Sequence, residues 1–138
     1  SLSEDFRTRT GIETDFDTVV FRNRLDQDAK IALYRIAQEA LTNVERHAQA
    51  KHVKIDLRGH RDGATLRVQD DGHGFAADQT TARPGIGLRN MQERIDQLGG
   101  TLRVLSSSSG TSIEAEIPLT HILPPEDRRR VNLTEAPA

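Results

Sequence analysis

There is no cysteine and no tryptophan among the 138 residues, and aromatic side chains make up only 4% of them. Without thiols there are no disulfides, no thiolate nucleophile and no cysteine-ligated zinc, which suits a reducing compartment. With so few aromatics, the core has to be built from Leu, Ile, Val and Ala. No apolar run approaches the roughly 18 residues of a membrane-spanning helix, and no signal peptide opens the sequence. Neither sign of charge dominates: 19 Lys and Arg stand against 21 Asp and Glu, for a formal charge of -2 and a pI near 6.2. The basic field that would hold a phosphate backbone is missing, so nucleic acid is not expected as a main partner.

What is present reads as an ordinary soluble domain, 35% hydrophobic and 29% charged. The length suffices for one domain with a real core plus tails, and not for two. Leu2 and Phe6, four apart in polar surroundings, suggest that residues 1–9 are the end of a helix arriving from upstream. Ile12 to Phe16 alternates as a strand, Val19-Val20-Phe21 is a further short apolar group, and Asp26 or Asp28 suits a helix cap. From Ala29 to Ala48 apolar residues such as Leu33, Ile36, Ala37, Ala40, Leu41 and Val44 recur at helical spacing. Lys51 to Leu57 and Ala64 to Gln69 alternate as strands joined through Gly59 to Gly63, a hairpin by pattern. A helix over Leu88 to Leu98 stops at Gly99-Gly100, and strands at Thr101 to Leu105 and Thr111 to Ile117 flank a serine-rich turn. Residues 120–138, with Arg128-Arg129-Arg130, read as a polar, disordered tail.

Three places carry candidate chemistry. On the long helix Glu39, Asn43 and Arg46 recur at intervals of four and three, forming a stripe. A solvated face is the simpler reading, but Asn is a poor mid-helix residue and the stripe borders the apolar face. Next, the strand from Leu66 runs into Asp70-Asp71-Gly72-His73-Gly74-Phe75, where carboxylate and glycine suit either a hairpin turn or a small polar ligand. After a loop from Ala76 to Pro84, Gly85-Ile86-Gly87 opens a helix, whose free N–H groups and dipole favour phosphate. A P-loop is excluded, because no Gly-x-x-x-x-Gly-Lys-Ser/Thr occurs, and a full dinucleotide fingerprint is missing as well.

Taken as an ordered set, Gln38 to Ala48, Asp70 to Phe75, Gly85 to Met91 and Gly110-Thr111 resemble the four nucleotide-binding motifs of the GHKL ATPase superfamily. Within it the wording is similar to the ATP-binding catalytic domain of sensor histidine kinases of the nitrate/nitrite-sensor and DesK-like type. The resemblance covers about residues 10–119. It implies a Bergerat-type α/β fold, a two-layer sandwich of a mixed β-sheet packed on three helices, with ATP between the helices and a lid.

Role by role, the resemblance implies that Asp70 reads the exocyclic amine of adenine, with Gly72 and Gly74 letting the nucleotide lie close. It makes Asn43 the Mg²⁺ ligand, a carboxamide oxygen being suited to a hard cation. Glu39 falls one turn earlier, as a support for the metal and its water or as a base. Arg46 matches a phosphate contact, His47 a residue flanking adenine, and Gly85, Gly87 and Leu88 the phosphate-binding end of the lid. Thr111 matches a threonine supporting Asp70. Asp71 and His73 fall at variable positions, Asp71 as a polar turn residue only, while His52, His60 and His121 read as surface or packing histidines.

The implied reaction moves the γ-phosphoryl group of ATP to a histidine on a separate dimerisation domain, then to a response regulator. No histidine here lies in a stretch resembling that acceptor segment, so the sequence reads as a catalytic domain alone, monomeric by itself, from a homodimeric protein. A cytoplasmic location follows, free or as part of a membrane-anchored sensor. Two alternatives stay open: an anti-sigma-factor serine kinase with the same superfamily site, and an interaction module that keeps only the fold.

Overall fold

The structure is a computed structural model and describes residues 2–19, 24–72 and 86–124. Five alternating segments build one sheet: β1 (Glu13–Val19), β3 (His52–His60), β4 (Gly63–Asp70), β5 (Thr101–Ser107) and β6 (Gly110–Pro118), in the order β1-β3-β4-β6-β5. β1 runs parallel to β3 and the other neighbours are antiparallel, so the sheet is mixed. Because successive strand residues face opposite ways, Val53, Ile55, Leu66, Val68, Ile113 and Ile117 are buried on one face. The other face carries charge, including the Arg67–Glu114 pair at 3.0 Å.

Helices α1 (Leu2–Thr10), α2 (Gln27–Asn43) and α3 (Ile86–Gln97) cover the apolar face. The first turn of α2 is fixed by Asp26, whose carboxylate accepts from the Ala29 N–H at 2.9 Å. Its buried residues, Ala29, Ala32, Leu33, Ile36, Ala37, Ala40 and Leu41, are the stripe expected from the spacing. α3 adds Met91 and Ile95 to the core. It ends at Gly99, with φ of +75°, where the Gly99 N–H reaches the Asp96 carbonyl and that of Gly100 the Ile95 carbonyl, each at 3.0 Å. The result is the two-layer α/β sandwich of mixed sheet and three helices that the resemblance implied.

Four features differ from the expectations. α1 is not a bare approach to the domain, since Phe6 is only 2% exposed within the common core, and Arg9 meets the Glu45 carboxylate at 2.6 Å. The long helix keeps α geometry to Asn43 and then widens into a π-turn over Val44–Ala48, followed by Gln49 in the left-handed region. The hairpin loop shrinks to Arg61-Asp62, because β3 and β4 pair as far as His60 and Gly63. The disordered tail does not begin at 120. Ile122–Leu123 forms β7, antiparallel to β2 (Arg24–Leu25), and His121 Nδ1 lies 2.7 Å from Asp26 Oδ2. Val20, Phe21 and the remainder of that tail from 125 lie outside the described residues.

Candidate nucleotide site

Two clusters emerge from the predicted residues, one at the end of β4 and one between α2 and α3. Asp70 is the last residue of β4 and is 7% exposed. Its Oδ1 accepts from the Gly72 N–H at 2.9 Å, a short turn closed by the side chain itself. Across the ladder it faces Thr111, also 7% exposed, whose hydroxyl lies 3.1 Å from that of Ser106. Gly110 has φ of +141°, and a Cβ there would run into the Asp70 carbonyl, with its carbon 3.1 Å away. Glycine therefore lets the β5–β6 turn close on the Asp70 backbone. Asp70, Ser106, Gly110 and Thr111 line part of a hollow of about 240 Å³. The hairpin-turn reading of Asp70-Asp71-Gly72 is excluded, because both partners of β4 lie elsewhere in the chain.

In the second cluster Glu39, half-buried on α2, lies against Gly87 in the first turn of α3. A Cβ on Gly87 would stand 3.0 Å from both Cγ and Cδ of Glu39, so the missing side chain is what admits the carboxylate. Asn43 is the last α-helical residue of α2 and is half-buried, while Arg46 is exposed on the π-turn. π-turns recur at functional sites because the widened turn changes which way side chains and carbonyls leave the helix. Leu88 is partly buried and packs on the core. Gly74, Gly85 and the His47 side chain lie outside the described residues.

Oxygen donors suit Mg²⁺, a hard cation that keeps several waters and is held with substrate phosphates more than by an all-protein cage. Asn43 and Glu39 supply such donors, and among the described residues no group of three or more His, Asp or Glu could hold a metal by itself. The donor set fits a phosphate-shared Mg²⁺ site. The larger apolar cleft of about 400 Å³, lined by Leu2, Phe16, Leu33, Tyr34 and Ile55 among others, shares none of these residues.

One residue was missed. Asp71 is more than a polar turn residue: its Oδ1 accepts from the backbone N–H groups of Lys51 and His52 at 2.8 and 2.9 Å, and its Oδ2 lies 2.8 Å from His52 Nδ1. Its pKa is held down at about 2, chiefly by the His52 N–H and then by the His52 ring, against the opposing pull of burial. The signal was in the hairpin register. Extending the Val53–Asp70 pairing by one residue puts Asp71 opposite His52.

A mixed sheet under three helices, with a buried Asp ending a central strand and a Glu–Gly contact joining two helices, defines an α/β nucleotide-binding domain. The family model described as histidine kinase-, DNA gyrase B- and HSP90-like ATPase matches residues 28–121, and the chain belongs to that family of ATP-binding domains. It is 44% identical over 120 residues to the sensor histidine kinase MctS of Rhizobium johnstonii, a match covering 86% of this chain and 26% of that protein. It is 38% identical over 117 residues to the histidine-protein kinase/phosphatase DegS of Brevibacillus brevis, covering 83% and 30%. Among solved structures, the histidine kinase domain of the Erythrobacter litoralis EL346 blue-light activated histidine kinase superposes with a TM-score of 0.69. That match is 22% identical and covers 86% of this chain and 61% of the other, a likeness of fold. The chain thus spans about a quarter to a third of the curated relatives it matches.

Proposed function

We propose that this domain presents Mg-ATP for transfer of the γ-phosphoryl group to a histidine on a separate dimerisation domain of a sensor histidine kinase, which then signals to a response regulator. The full-length protein would be a homodimer, and the domain of residues 10–119 its cytoplasmic catalytic part. The observation that carries this reading is the pairing of the buried Asp70–Gly72–Thr111 cluster with the Glu39–Gly87 contact, in a chain whose relatives are sensor kinases.

In this reading Asp70 accepts the exocyclic amine of adenine, a charge-assisted bond in a dry setting. Gly72 and Gly74 leave room for the base, and His47 flanks it. Asn43 offers its carboxamide oxygen to Mg²⁺, which would bridge phosphate oxygens and offset their charge. Glu39 orients the water shell of that metal or serves as base, and Arg46 meets phosphate. Gly85, Gly87 and Leu88 shape the turn that cradles the phosphates, and Thr111 supports Asp70. Phosphoryl transfer needs mainly such positioning and charge compensation.

The test is to incubate the chain with γ-labelled ATP and a polypeptide carrying the helical acceptor segment of the same protein. Acid-labile, alkali-stable label on the acceptor histidine is the expected result. Label on serine of a partner protein would overturn the reading in favour of a serine kinase.

A further inference from the structure

We propose that Asp71 is a positioning residue for base recognition: clamped to the start of β3, it sets the peptide whose N–H holds Asp70 and thereby sets how sharply the site distinguishes adenine. The proposal rests on the reading of Asp70 as the adenine acceptor.

The route from clamp to base is short. Asp71 is tied to β3 four times, through its carboxylate to the Lys51 N–H, the His52 N–H and the His52 ring, and through its own N–H to the His52 carbonyl at 3.2 Å. The next N–H along the chain, that of Gly72, is the donor to Asp70 Oδ1 at 2.9 Å. That bond spans Asp71, so the backbone dihedrals of Asp71 decide whether the Gly72 N–H meets the Asp70 carboxylate. Bonds from backbone N–H groups to an ionised carboxylate are the stronger kind. The carboxyl titrates near 2, so the clamp is in place throughout the neutral range. Asp70 is thus held from two sides, by Gly110 closing on its carbonyl and by Asp71 through Gly72. A residue that merely joined β3 to β4 would change stability and leave base preference untouched.

The experiment compares, for this chain, the affinities for ATP and for purine riboside triphosphate, which has the same sugar and phosphates but lacks the exocyclic amine. Asp71→Ala is expected to reduce the preference for ATP by about 3- to 10-fold, the scale of one hydrogen bond to a charged group. Asp71→Glu keeps the charge but carries its carboxylate one methylene too far, so it should lose preference similarly and covers the case in which the alanine variant fails to fold. Asp71→Asn keeps an oxygen for the two N–H groups and should stay within about twofold of wild type. An undiminished preference in the Ala and Glu variants, whatever their melting temperatures, overturns the proposal. Asp70→Asn in the same assay separates the two claims. If it abolishes the preference while the Asp71 variants retain it, the positioning role alone fails; if it leaves the preference intact, the reading of Asp70 fails and the positioning role with it.

Discussion

The Glu39 side chain of α2 rests on Gly87 of α3, at a distance that leaves no room for a Cβ on the glycine. Gly87→Ala would have to push Glu39 aside. A helix gains roughly 0.5–1 kcal/mol from Ala in place of Gly, and the displaced group is the flexible end of a side chain, so stability should change by less than about 1 kcal/mol. Phosphotransfer should nevertheless fall as far as in Glu39→Gln. Thermal unfolding alongside a phosphotransfer assay checks this; a Gly87→Ala domain with wild-type transfer would mean that the carboxylate position is immaterial.

Asn43 gives a prediction about metal. Asn43→Ala should weaken nucleotide binding in the presence of Mg²⁺ more than in its absence, because the oxygen lost serves the metal and not the base. Titrations with ATP in Mg²⁺ and in chelator measure the difference. Equal losses in both would point to a general disturbance of the end of α2.

Acid stability depends on two carboxylates at opposite ends of the fold. The Asp71 pKa is lowered from 3.8 to about 2, so the folded state binds that proton less readily than the unfolded chain. Its contribution is therefore complete above about pH 4 and is lost as pH falls toward 2. For Asp26 burial pulls upward, but the Ala29 N–H and His121 prevail and the net shift is downward, with the same sign for stability. Asp26→Ala removes the cap of α2 and should cost about 1 kcal/mol near neutrality. Urea midpoints from pH 6 to pH 2.5 should show the gap between wild type and Asp71→Asn closing as pH drops; a gap independent of pH would contradict the clamp.

Much of this architecture was legible where it depends on local repetition. The 3.6-residue spacing of Leu33, Ile36, Ala37, Ala40 and Leu41 marks α2 and its buried side, and Asp26 marks its start. Asp70 stood out because an alternating strand stopped there. Partners set by distant chain were harder to see. Asp71 acts through His52, 19 residues away across a hairpin whose exact register had to be known. Phe6 was one apolar residue in a polar run, and only the docking of α1 decides that it is buried. The two-residue strands β2 and β7 carry no periodicity, so nothing local announces that Arg24 pairs with Leu123. The Glu39–Gly87 contact likewise joins separate helices, visible from sequence only as two motifs of one family.

The central claim is that Asp70 holds adenine. Calorimetry of ATP binding to wild type and to Asp70→Asn tests it most directly. The account predicts that the substitution weakens binding by about 1.5–3 kcal/mol, the scale of a hydrogen bond to a charged group, with little change in melting temperature. Wild-type ATP affinity in a folded Asp70→Asn domain would contradict it.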